Sequence, residues 1–361
     1  MKRIALVLVL AAVAAFSASA PAAGCSPLDC APSQVILDGG TLLGVRAGGV
    51  DGNLRVVDLR TGATRWHLPP GVLAGRLLLH LDGHLVTWFD ATTGARVADA
   101  VGALHGRYGL VGASEDGRRA VLARTMSRST TFALVARGGS TRLVVLPTNK
   151  WQFDALAGDN LFLLHDESGG YEVRLFDLHT GRLDPSPLKA SDEGSLIAGV
   201  PWGRLTSADG RYLLTLYLTG DGAAMIHELD LRDATARCVD LPGSGDFNAA
   251  STYVLVRARG VLWAISTGYG KAASVDVAAA KVNSQFSFLA DTWSNSTGIA
   301  AASPDGSRIA LTDADHVWVL RPGARTISPP QARTAIALGW SPDGRKLWVV
   351  GQRSRVSALT P

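Results

Sequence analysis

One phrase returns at near-regular intervals along the chain, and it limits the fold more than any other feature. "SPDGSRIALTD" occupies residues 303–313, and "SPDGRKLWVVG" follows at 341–351. Two looser copies, "SEDGRRAVLAR" from Ser114 and "SADGRYLLTLY" from Ser207, lie upstream. The phrase has a mechanical reading. Pro304 presets φ for the second position of a β-turn, Asp305 tolerates the third, and Gly306 takes the exit. Such a turn between two apolar runs reads as a hairpin. In "KLWVV", Leu347 and Val349 point one way, Trp348 and Val350 the other, and Tyr212–Leu218, "YLLTLYL", behaves alike. A strand at a surface alternates apolar and polar residues, whereas a strand apolar on both faces is sandwiched.

A second phrase interleaves with the first. "VVDLRTGATRW" ends at Trp66, "WFDATTGARVA" at Ala98 and "LFDLHTGRLDP" at Pro185, with weaker echoes around Asp230 and Asp276. Each places an Asp at the end of an apolar strand, then a short turn, then another strand. This is the outer hairpin of a unit whose inner hairpin carries the Ser-x-Asp-Gly turn. Chained together, the phrases give units at Ser33–Leu68, Pro70–Val101, Tyr108–Pro147, Phe153–Leu188, Trp202–Pro242, Ser251–Phe288, Ser296–Pro329 and Ala335–Leu359, the last with three strands. Four short strands per unit of roughly 40 residues predict an all-β propeller. The count is eight blades. If "SQVIL" at Ser33–Leu37 completes the last blade, the first unit loses a strand and seven becomes the alternative. With 40 Gly and 16 Pro in 361 residues, helices of ten residues or more have little room.

The first residues read as an export signal. Lys2 and Arg3 form a charged start, Ile4–Ala15 a 12-residue apolar run, and residues 16–24 a small and polar cleavage zone. A membrane span needs about 20 apolar residues, so this run is too short for one. "AAGC", Ala22–Cys25, resembles a bacterial lipobox, with Ala22 where Leu is usual; its rival is ordinary cleavage after Ala20. The lipobox reading makes residues 1–24 a signal peptide, 25–32 a tether and 33–361 the propeller, with Cys25 lipidated. That leaves Cys30 and Cys238 as a possible disulfide; otherwise Cys25 and Cys30 close a short loop. The net charge is +4 without a basic run, which argues against a nucleic-acid partner.

The repeats resemble known propeller families. "SPDG" before an apolar strand is similar to TolB-type and WD-repeat-like blades. Asp58–Trp66, "DLRTGATRW", looks like the quinoprotein-type repeat, whose closing Trp docks adjacent blades, and Leu347–Leu359 is similar to YVTN-type blades. A quinoprotein would imply a calcium site and, in several relatives, adjacent cysteines; no two cysteines are adjacent here, and Ala98 and Pro185 stand where the Trp would be.

Chemistry is sparse. His80 and His84 flank the Asp82-Gly83 turn and read as exposed turn histidines rather than metal ligands. Gly243-Ser244-Gly245-Asp246 reads as an interblade loop without the strand–turn–helix setting of a nucleophile elbow. No cofactor, metal site or catalytic residue is expected. Trp151, Trp202, Tyr269 and Trp293 are expected on interblade loops as partner-binding anchors. The resulting expectation is a monomeric, non-enzymatic binding or scaffolding propeller. It would be exported, held on the outer face of the cytoplasmic membrane only by its lipid or else secreted, and would engage a protein or polysaccharide of the cell envelope. A lactonase-like propeller hydrolase with a site at the channel mouth is the alternative.

Overall fold

The computed structural model describes residues 33–46, 51–102, 104–188, 196–207, 209–288, 299–312, 316–322, 331–332, 335–351 and 355–361. Eight antiparallel meanders follow one another at residues 33–68, 72–101, 109–147, 151–183, 200–240, 253–287, 299–332 and 337–359, forming blades 1 to 8 of a β-propeller. Seven have four strands, and the eighth has three among the described residues. Among the described residues helix is confined to single turns such as Phe247–Ala250, and no described helix is long and apolar enough to cross a membrane.

Eight apolar clusters occupy the junctions between blades, one per junction among the described residues. Eight junctions for eight blades make a closed ring, which excludes the seven-blade count. The clusters also explain the doubly apolar strands. Every residue of Tyr212–Leu218 is buried, its alternate side chains serving the junctions with blades 4 and 6.

Ser33–Leu37 does not complete the last blade. It pairs with Leu42–Arg46 as the inner strand of blade 1, from Ser33 opposite Arg46 to Leu37 opposite Leu42. A turn four residues long brings these two runs together, and closing so short a loop costs far less entropy than reaching the far end of the chain. The ring is closed by side chains instead. Trp348 of blade 8 donates its Nε1–H to the Leu59 carbonyl of blade 1 at 2.6 Å and lies flat against Gly62. Gly62 has φ +74°, and any Cβ there would overlap the indole. On the inner strand, Gln34 donates to the Ala300 carbonyl of blade 7 and accepts from the Leu338 amide of blade 8, both at 2.7 Å.

The repeated phrases are self-contained turn locks. In all four Ser-x-Asp-Gly turns the Ser hydroxyl donates to the Asp Oδ1 at 2.6 Å. The same hydroxyl accepts the backbone N–H five residues on, at 2.8–3.0 Å. In the Asp-x-x-Thr-Gly turns, Oδ1 of Asp58, Asp90 and Asp177 accepts the amide two residues later at 2.7–2.8 Å. Asp58 is wholly buried. Burial alone would push its carboxyl up, but the Arg65 guanidinium and the Arg60 and Thr61 amides hold it down to about 2. Because strands alternate in direction, both turn families lie on one rim. The opposite rim carries the turns between second and third strands and the blade-to-blade linkers.

Candidate functional site

The turn-bearing rim has little polar capacity left, because its Ser and Asp side chains are spent on their own backbone. The linker rim differs. Three of the four aromatic residues expected to bind a partner fall there, on three consecutive blades. Trp151 opens the inner strand of blade 4, Trp202 lies in the inner strand of blade 5, and Tyr269 occupies a turn of blade 6. Trp293, Cys25 and Cys30 lie outside the described residues.

The individual roles of those aromatics need correcting. Trp151 and Trp202 belong to strands rather than loops. Trp151 is 8% exposed, sits in the core between blades 3 and 4, and donates its Nε1–H to the Pro147 carbonyl at 2.7 Å. It is a wedge, with no face left for a partner. Trp202 is half-buried and donates to the Ser251 carbonyl across the blade 5–6 junction at 2.8 Å. The Tyr269 hydroxyl lies 2.8 Å from the carbonyls of Gly222 and Asp246, tying the blade 6 turn to blade 5. Indole N–H groups brace other junctions in the same way: Trp66 to Ala91, Trp88 to Gly117, and Trp340 to Ala301. A large ring that must also satisfy one donor is well suited to a wedge-shaped gap lined by carbonyls. Cys238 lies in the outer strand of blade 5, and Cys30, the partner expected for it, lies outside the described residues.

Beside polar residues such as Asp246 and Asn248, the rim exposes three large apolar side chains. Phe247 is 38% exposed, Val200 39% and Leu196 45%, large values for such side chains. Phe247 meets Trp202 edge-on with ring centroids 6.2 Å apart. Farther out on blade 6 the rim holds a hollow of about 430 Å³ lined by Lys271, Gln285, Phe286 and Ser287.

Blade 4 adds a titratable cluster. His165 and Glu167 are two residues apart on the second strand, Asn160–Glu167, and so share a face. Glu172 on the third strand pairs directly with His165. One ligand-capable atom from each lies within 4.8 Å of the others. The His165 ring packs on Trp151, with centroids 4.2 Å apart. Arg174 donates Nε and Nη2 to Glu172 Oε2, at 3.0 and 2.6 Å. The clue was present in the sequence as "HDESGGYE": alternation puts His165 and Glu167 on one side, and the Ser168-Gly169 turn returns Glu172 beside them. Looking for histidines close to one another pointed to His80 and His84 instead. His80 is a strand residue whose Nδ1 lies 2.7 Å from the Pro70 carbonyl, whereas His84 is the exposed turn histidine expected.

Behind this rim, between blades 4 and 5, lies a largely buried polar group. Arg204 donates to Asp154 Oδ1 at 2.6 Å, joining two inner strands, and the Asp154 side chain is 3% exposed. His227 is buried edge-on against Tyr217, and burial pushes its pKa down to about 4 against the pull of Asp154. Burial likewise raises the Tyr217 phenol. Asp154, His227 and Tyr217 are buried between the blades that they join, while Arg204 covers Asp154 from the exposed side.

No protein-family model matches the chain, and no curated protein matches it in sequence. Solved structures do match in shape. The chain is similar to AztD of Citrobacter koseri at 12% identity and a TM-score of 0.54, covering 91% of this chain and 89% of that one. It is similar to the Dos1 propeller at 12% identity and TM-score 0.53, covering 92% and 93%. It also resembles the dihydro-heme d1 dehydrogenase NirN at 12% identity and TM-score 0.51, covering 84% and 67%. At such identities the likeness concerns fold alone, and the fold is an eight-bladed β-propeller.

Proposed function

We propose that this protein is a binding and scaffolding propeller of the cell envelope that engages its partner through the linker rim of blades 4 to 6. The observation that carries this reading is the group of exposed apolar side chains on the linker rim set beside two braced aromatic rings. Leu196, Val200 and Phe247 stand exposed beside the anchored rings of Trp202 and Tyr269. Exposed apolar side chains mounted on braced elements lose little conformational entropy on docking, which favours a recognition surface. The partner is a protein or polysaccharide, and the propeller supplies a rigid face rather than a reaction.

Site-specific photocrosslinking tests the reading. A photoreactive residue at Phe247 should give discrete adducts in the native envelope, whereas one at exposed Thr180 on the opposite rim should give none. Protease sensitivity of the adduct tells protein from polysaccharide. Adducts from Thr180 alone, or none from Phe247, would overturn the assignment of the face.

The same proposal includes a lipid anchor at Cys25. Intact-mass analysis of membrane-extracted protein should give a chain starting at a diacylglyceryl-modified Cys25. A mature chain starting at Pro21 refutes the anchor.

A further inference from the structure

We infer that His165, Glu167 and Glu172 of blade 4 form a binding site for a first-row divalent cation, with zinc as its natural probe. The inference concerns an ion, not a macromolecular partner, and stands independently of the face proposed above.

Donor chemistry comes first. An imidazole with two carboxylates is a borderline set, suited to Zn²⁺ and its transition-metal neighbours more than to calcium or magnesium, which take oxygen ligands. The geometry is the second argument. His165 Nδ1 lies 2.8 Å from Glu167 Oε1, yet that buried nitrogen makes no hydrogen bond, so the carboxylate lies off the direction in which the ring would donate. Two donors each about 2.1 Å from a common tetrahedral cation sit about 3.4 Å apart, so a bound ion would part this pair slightly. The close approach leaves a buried nitrogen and a carboxylate without a direct bond between them, an unmet pairing that a shared ion satisfies. The whole set lies within 4.8 Å, and adjacent ligands of a tetrahedral ion lie about 3.4 Å apart, so the carboxylates must close by about 1.4 Å through side-chain rotation.

The surroundings hold the donors in place. The Trp151 wedge lies against the His165 ring and fixes its plane. The cross-strand pairing of His165 with Glu172 fixes the separation of their backbones. Arg174 engages Glu172 through Oε2 and also donates to the Pro185 carbonyl, so it orients the carboxylate as an outer partner does in metal sites. The His165 and Glu172 side chains are 16% and 14% exposed while Glu167 is 38% exposed, so the ion would enter over Glu167.

Zinc chloride titrated into the purified, metal-stripped chain, followed by calorimetry and by elemental analysis after desalting, tests this. The wild type should take up one ion per chain saturably. Glu167→Gln, at the exposed donor where packing is little disturbed, should weaken uptake at least about tenfold. His165→Phe, which keeps a ring against Trp151, should abolish it. Cobalt(II) should give visible ligand-field bands in the wild type that His165→Phe removes. No saturable uptake, or uptake that both variants leave unchanged, would overturn the inference. Photocrosslinking at Phe247 is read separately, so either claim can fail alone.

Discussion

Replacing Trp348 with alanine is expected to cost about 4 kcal/mol of unfolding free energy in urea denaturation, more than any other single truncation of a bracing Trp. Trp348 is 8% exposed and fills the junction between the last blade and the first, where it packs with Leu59, Val57 and Val350. Removing a buried Trp side chain costs about 3–5 kcal/mol through lost transfer and the cavity left behind. The variant also strands the Leu59 carbonyl that accepts the indole N–H at 2.6 Å. What sets this junction apart is its covalent context. Trp66 and Trp88 brace blades that the chain already links directly, whereas Trp348 and Leu59 are 289 residues apart. With that brace gone, the end blades can part while the middle ones stay folded, so the denaturation slope should fall as well as the midpoint. A loss under about 1 kcal/mol with an unchanged slope would show that Gln34 and the apolar cluster close the ring unaided.

The second large effect is acid destabilisation through His227. Its folded pKa is about 4, below the ordinary histidine value, because burial disfavours the charged ring. The unfolded chain takes up a proton below about pH 6.5, and the folded chain resists until about pH 4. Stability is therefore complete above pH 6.5 and is lost as pH falls through that window, by about 3 kcal/mol in all. His227→Leu should lack this loss, so wild type and variant should diverge by about 2–3 kcal/mol between pH 7.5 and 4.5 in urea midpoints. Asp58, held down to about 2, does not titrate in this interval. Glu228 and Glu115, raised chiefly by burial, do act in it, with opposite sign, and they are common to both proteins. Parallel pH profiles for the two proteins would refute the assignment.

The legibility of this fold in its sequence was uneven for identifiable reasons. Turn chemistry is local, so Ser303-Pro304-Asp305-Gly306 and Asp58-x-x-Thr61-Gly62 declared their hairpins, and the hairpins gave the blades nearly strand by strand. Closure of the ring is not local. Nothing around Ser33–Leu37 says whether it pairs with residues 42–46 or with the last blade, and the competition is decided by the brief Asp38–Thr41 turn. The aromatic residues were legible as important but not as to purpose. A Trp in a linker and a Trp wedged between blades read alike in one dimension, and the carbonyls of Pro147 and Ser251 made Trp151 and Trp202 into braces. The His165 cluster was missed because its members are related by strand pairing, not by proximity along the chain.

The side-chain seam beside Ser33 also has a mechanical meaning. A pull transmitted through residue 33 meets the edge of the five-residue ladder to Leu42–Arg46 and the two amide bonds of Gln34, which reach blades 7 and 8. Load entering there is split among three blades at once. A molecule strained from that end would resist as a barrel hoop does, by tension shared around its circumference, instead of unzipping one hairpin at a time.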